Sequence, residues 1–293
     1  MVNIRKKTVE GNSYFYLEHS FRKEGKVEKK ELYLGKEIPK DIERIERDFI
    51  LEIYNETWLN RLDKIKENYS KEQKKTPVSA KGKEVENFMV KFTYNTQRIE
   101  GSKLTLRDTA NLLEKGETPK KPLRDIKEAE AHKKVFYEML NYSKDLNLQI
   151  MLQWNKILLS ETKPDVAGRI RNHGIAISGS KFMPPLAIEL EFLLKEFFDW
   201  YSKNKTKLHP VVLSALAHLK FVTIHPFSDG NGRISRLMMN FILNKNGFPM
   251  LDIPYENRNG YYTALERSQI KKEEKIFLQW FFKRYLKEYR RLI

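Results

Sequence analysis

The chain has 293 residues, no cysteine, 40% hydrophobic residues and a formal charge of +16 from 55 Lys plus Arg against 39 Asp plus Glu, which excludes disulfides and thiolate chemistry and argues for a packed interior. The positive excess attracts polyanions, whether nucleotide, nucleic acid or an acidic protein surface, without choosing among them. No apolar stretch follows the basic start as a secretory signal requires, and none approaches the roughly 20 residues that cross a bilayer, so a cytoplasmic location and no membrane partner are expected.

Residues 13–36 hold two β-prone, aromatic-rich runs around Lys23-Glu24-Gly25-Lys26, which predicts a hairpin. A lone hairpin is marginal in water, so it must pack on the rest of the chain or on a partner. Over residues 39–69, Ile42, Ile45, Phe49, Ile50, Ile53, Trp58 and Leu62 recur at helical spacing, predicting a long helix or a helix pair. Residues 70–83 are polar and Lys-rich with Pro77 and Gly82, which sets a boundary between a hairpin-and-helix extension at 1–82 and a main domain at 83–293. Helices are predicted over 84–99, 105–115, 123–142, 147–161, 186–202, 209–224, 232–246, 258–269 and 273–290. Residues 174–182 alternate and turn at Gly179 like a small β-hairpin. The expected class is all-α with these two β features.

Between two apolar helices lies His225-Pro226-Phe227-Ser228-Asp229-Gly230-Asn231-Gly232-Arg233-Ile234-Ser235-Arg236. The glycines let consecutive N–H groups turn toward one point, and the following helix adds its positive N-terminus, which makes an anion cradle. Arg233 and Arg236, three residues apart on the first helical turn, can both present guanidinium forks to phosphate oxygens. Asp229 supplies a hard oxygen of the kind that binds Mg²⁺ jointly with phosphates and water. His225, four residues earlier, is an imidazole placed to take a proton from an attacking hydroxyl.

This stretch resembles the signature of the Fic (Fido) family, His-Pro-Phe-x-Asp-Gly-Asn-Gly-Arg-x-x-Arg, at all nine specified positions, and a looser likeness runs over residues 84–290. The resemblance implies an all-α core with a short β-hairpin flap, and transfer of AMP from ATP, with Mg²⁺, to a Ser, Thr or Tyr hydroxyl of a target protein. His225 would be the base and Asp229 the Mg²⁺ ligand. Asn231 and the amides of Gly230 and Gly232 would surround the α-phosphate, Arg233 and Arg236 would hold the outer phosphates, and Phe227 would anchor the loop. A related branch that transfers a terminal phosphate carries lysine at the second glycine. This chain keeps Gly232, so AMP moves and pyrophosphate leaves.

Thr96-Gln97-Arg98-Ile99-Glu100-Gly101 is similar to the family's inhibitory helix, which implies that Glu100 pairs with Arg236 and blocks placement of the γ-phosphate. A partly buried carboxylate competing with phosphate for one Arg is worth up to about a few kcal/mol, although a Thr and a Glu four apart before a Gly also suit an ordinary helix end. Residues 168–185 resemble the family's flap, whose exposed edge would hold a target segment between Ile175 and Phe182 by strand addition. Residues 259–265 are similar to the segment near the adenine, which implies aromatic faces from Tyr261 and Tyr262, where packing is the other reading. His209 and His218 read as core or surface rather than catalytic, Met238 and Met239 read as core, and His173 is unassigned.

Three functions compete. One is an adenylyltransferase restrained by Glu100, and another is the reverse hydrolase, in which Glu100 orients a water that removes AMP. The third is a nucleotide-sensing regulator whose basic amino-terminal region binds nucleic acid. A homodimer is a further assembly the sequence leaves open.

Overall fold

A computed structural model describes residues 2–23 and 26–293. The chain divides into two compact units, Met1–Ile65 with Ile293, and Lys66–Leu292.

The first unit carries a three-stranded antiparallel sheet in the order β1 (Asn3–Val9), β2 (Asn12–Lys23), β3 (Lys26–Gly35). The predicted hairpin is the β2–β3 pair, and its turn at Glu24 and Gly25 lies outside the described residues. β1 is additional. Its Asn-Ile-Arg-Lys-Lys run lacks hydrophobic alternation, but Glu10 and Gly11, at φ 49° and 79°, form the tight two-residue turn that folds it onto β2. Leu17, Phe49 and Ile53 form the small core of this unit. They join the inner face of β2 to α1 (Ile42–Tyr54), which a π turn at Asn55–Leu59 links to α2 (Asn60–Lys75). On the outer face Tyr33 lies 6.2 Å from Tyr14 and 5.2 Å from Tyr16, while Arg5, Lys7 and Lys29 pair with Glu18 and Glu31. Residues 1–65 contain 14 Lys and Arg against 13 Asp and Glu, so most of the positive excess lies beyond this unit.

The second unit is helical: α3 (Val78–Ile99), α4 (Leu106–Ala110), α5 (Leu123–Asn141), α6 (Leu148–Leu159), α7 (Leu190–Asn204), α8 (Pro210–Ile224), α9 (Asn231–Lys245), α10 (Arg258–Lys271) and α11 (Glu274–Glu288). Local chemistry sets several starts. Pro77 precedes α3, and Asn147 caps α6 by accepting from Ile150 N at 3.0 Å. The His209 ring accepts from Val211 N at 3.2 Å, with Pro210 at the first position of α8. α8 is buried nearly all round, as its apolar sequence demands, and pairs centrally with α9. Phe221, Phe227, Ile234, Leu237, Met238 and Phe241 of this pair and the loop between them fill the core with Trp154 and Phe136. Among the described residues no helix is long and apolar enough to cross a membrane.

The flap differs from its prediction. Residues 174–182 turn at Gly179 (φ 76°), with Ser180 N donating to Ile177 O at 3.0 Å, but the arms form no strand ladder. Side-chain anchors replace the ladder: Ser180 Oγ (3.1 Å) and Lys181 N (2.5 Å) both donate to Glu266 of α10.

Candidate active site

α8 stops at His225, which takes the left-handed conformation at φ 51° and ψ 58°. A side chain in that region costs roughly 1–2 kcal/mol, so neighbouring bonds must hold it there. His225 N donates to Phe221 O at 3.1 Å, and His225 O accepts from Arg171 Nε at 2.8 Å. His225 Nδ1 lies 3.1 Å from Val222 O. A carbonyl only accepts, so Nδ1 carries the proton and Nε2 keeps its lone pair. Burial lowers the imidazole pKa below its ordinary value of 6.5, against the opposing pull of the Val222 carbonyl and Glu100, so the ring is neutral at pH 7.

Phe227 is fully buried and pins the loop, as predicted. Asn231 does not do what its position implied. Its Oδ1 accepts from Phe227 N at 2.9 Å and its Nδ2 donates to Phe227 O at 2.7 Å, so a buried side chain clamps the loop instead of facing a ligand. Gly230, at φ 84°, caps α9, and its amide is likewise spent, donating to Asp229 Oδ1 at 2.5 Å. The predicted cradle therefore narrows to the first turn of α9, whose Asn231, Gly232 and Arg233 amides precede the first helical bond, Ile234 N to Gly230 O at 2.9 Å. Asp229 also accepts from Arg233 Nη2 at 3.1 Å and from Lys163 Nζ. Burial raises the Asp229 pKa, but Arg233 and Lys163 outweigh it and hold the carboxyl below its usual range.

The two arginines are fully buried and turn different ways. Arg233 bonds Glu128, Gln97 (3.4 Å) and Asp229, leaving a buried Nε with no partner among the described residues. Arg236 donates Nε to Thr96 Oγ1 at 2.6 Å, Nη2 to Glu100 Oε1 at 2.6 Å and Nη1 to Tyr261 Oη at 3.4 Å. The Thr96, Glu100 and Arg236 constellation named in the sequence is thus assembled in space. Gly232 permits it, because a Cβ there would sit 2.5 Å from Glu100 Oε1.

The tyrosine pair splits. Tyr261 is buried, its hydroxyl receiving Arg236 and lying 2.9 Å from His218 Nε2, so it offers no face to a base; the adenine assignment of Tyr261 is corrected to support of Arg236. Tyr262 is 45% exposed and donates to Ile99 O at 2.9 Å. His218, read from the sequence as core or surface, is core.

Several contributors carry no local signature. Asn155 donates to Asp229 O at 3.0 Å and accepts from Gly168 N at 2.8 Å. Lys163, Glu128 and Gln97 complete the ring of charge and polarity around Asp229 and Arg233, and Arg171 holds the His225 carbonyl. Next to the loop is a polar cavity of about 250 Å³ lined by Gln97, Glu100, Lys163, Asp229 and Arg233, among others. A larger cleft of about 480 Å³, lined by Phe197, Trp200 and Leu219, contains none of the predicted site residues.

The Fic/DOC family model matches residues 145–243. The chain is 35% identical over 181 residues to a protein adenylyltransferase Fic of Nematostella vectensis, covering 60% of this chain and 42% of that protein. It is 33% identical over 181 residues to protein adenylyltransferase fic-1 of Caenorhabditis elegans, covering 59% and 35%. The chain thus spans well under half the length of these curated relatives. A Fic-domain-containing signalling protein of Bacteroides thetaiotaomicron superposes with a TM-score of 0.70 at 26% identity, over 78% of this chain and 95% of that one. Residues 134–508 of C. elegans Fic-1 give 0.70 at 25%, over 86% and 75%. The chain is therefore built on the Fic fold, and its residues 145–243 match the Fic/DOC family model.

Proposed function

We propose that this chain transfers AMP from ATP to a hydroxyl side chain of another protein, with His225 as general base. The observation that carries the reading is the fixed tautomer of His225, a neutral imidazole with Nε2 open to accept a proton, at the edge of an anion-binding helix start. Nε2 takes the hydroxyl proton as the oxygen bonds to the α-phosphorus. The bond from that phosphorus to its bridging oxygen breaks, and pyrophosphate departs. The first-turn amides of α9, with Gly232 leaving room, receive the phosphate chain. Relatives named as protein adenylyltransferases support this reaction.

Asp229 fits Mg²⁺ by its donor chemistry: one hard carboxylate, kept ionised by Arg233 and Lys163, beside a polar cavity. Mg²⁺ is commonly bound by one or two carboxylates together with substrate phosphates and water, so the ion would arrive with the nucleotide. Bound there, it would neutralise phosphate charge as pyrophosphate leaves. Glu100 would restrain the enzyme by occupying Arg236, and the flap between Ile175 and Phe182 would dock the target. Tyr262 is the exposed aromatic face left for adenine.

Incubation with labelled ATP and candidate proteins tests the reading. Glu100→Gly should label more than wild type, and His225→Ala should label nothing. Equal labelling by all three refutes it, and removal of AMP from a modified protein by wild type but not Glu100→Gly would mark the reverse reaction.

A further inference from the structure

We propose that Arg171 is the positioning residue that ties both ends of the flap to the backbone of His225, so that flap and base are held as one unit. Its guanidinium makes three hydrogen bonds to three chain segments: Nε to His225 O at 2.8 Å, Nη1 to His173 O at 2.8 Å and Nη2 to Pro185 O at 2.7 Å. Its own amide donates to Pro226 O at 2.9 Å. His173 and Pro185 bracket the flap, so a single side chain closes that loop at its base while Glu266 holds its tip.

The chemistry singles out arginine. The side chain is buried, and its three hydrogen-bond partners are neutral main-chain carbonyls, so among the described residues an ionic charge is kept inside the protein without a carboxylate partner. Only a planar fork with donors on three nitrogens reaches three divergent acceptors at once; an ammonium on a flexible stem does not reproduce that geometry. One of the three acceptors is the carbonyl of the residue forced into the left-handed region, which a bond of this strength helps to hold. The charge also faces the imidazole. Arg171 acts to keep His225 neutral, whereas Glu100 and Asp229 act the other way. A target segment lying on the flap would therefore load the same guanidinium that fixes the base.

The inference rests on His225 being the base, but its test needs neither nucleotide nor target. Arg171→Met and Arg171→Lys, in the full chain, are compared with wild type by the rate of tryptic cleavage after Lys181 and by the NMR titration of the His225 ring. Both variants should cleave about tenfold faster or more, the factor equivalent to ~1.4 kcal/mol of lost closure. The His225 pKa should rise in Arg171→Met and return toward wild type in Arg171→Lys, which restores charge but not the fork. A purely structural role predicts that the two variants titrate alike at His225, with its resonances unmoved; that outcome, or unchanged cleavage, overturns the proposal. Should Arg171→Met not fold, Arg171→Lys decides by cleavage rate and by displacement of the His225 resonances. Because the readouts are independent of ATP, a failure here is distinct from a failure to transfer AMP.

Discussion

Replacing Glu100 should tighten ATP binding while loosening the empty protein. The Glu100 carboxylate contacts Arg236 Nη2 at 2.6 Å, and the arginine is buried while the Glu100 side chain is 29% exposed. A hydrogen bond to a charged group contributes ~1.5–3 kcal/mol, and water at the open side of Glu100 keeps this pair toward the lower end, about 1.5–2 kcal/mol. If phosphate and Glu100 compete for one guanidinium, removing the carboxylate raises the apparent ATP affinity roughly 10- to 30-fold. The same change leaves Arg236 with Thr96 and Tyr261 alone, so the nucleotide-free variant should lose about 1–3 kcal/mol of stability and regain it with ATP. Calorimetric titration of Mg²⁺ and ATP into wild type, Glu100→Gln and Glu100→Gly measures this, with the Gln variant intermediate. Dissociation constants equal within about twofold across the three would refute the competition, because a charged hydrogen bond of ~1.5 kcal/mol that must be displaced requires about tenfold.

Three further outcomes follow from the site. His225→Asn should abolish transfer but leave ATP affinity within about twofold, and the wild-type rate should rise with pH to a plateau with its midpoint below the ordinary imidazole value of 6.5, because the base must be unprotonated and burial depresses its pKa; a midpoint above that value would contradict this. Gly232→Ala places a Cβ 2.5 Å from Glu100 Oε1 and should cost about 1–3 kcal/mol in chemical unfolding, most of it recovered in the Glu100→Gly double variant, since the clash needs both partners. Tyr262→Ala should weaken ATP binding with little loss of stability, whereas Tyr261→Phe should cost about 1–2 kcal/mol of stability through Arg236 and leave base recognition intact; reversed effects would restore the adenine role to Tyr261.

The parts of the site that were legible in the sequence are those that are local. Residues 225–236 carry their chemistry in one turn and one helix start, where glycine, carboxylate and guanidinium spacing has a direct geometric meaning. The helices were readable for a similar reason, since α8 and α9 are apolar over whole turns. What stayed hidden depends on partners far along the chain. Arg171, Asn155, Lys163 and Glu128 act across separations of 54, 74, 66 and 105 residues and leave no periodicity. Adjacent helical residues point about 100° apart, so Tyr261 faces in and Tyr262 out, and composition does not say which. The resemblance to the family signature implied a ligand contact for Asn231, yet two backbone groups of Phe227 claim it first. The flap kept its turn but lost its ladder because Arg171 and Glu266 anchor the loop from outside it. β1 carries the consecutive charges Arg5, Lys6 and Lys7 at its centre and becomes a strand only through pairing with β2.

The central claim is that the helix start after residue 230 orients a triphosphate with its α-phosphorus toward His225. Glu100→Gly incubated in parallel with ATP labelled at the α- or the γ-phosphorus, together with a protein substrate, tests it most directly. The α-label should become covalently attached to protein in a reaction lost on His225→Ala, and the γ-label should appear in free pyrophosphate. Protein carrying the γ-label, or α-labelling indifferent to His225, would contradict the account.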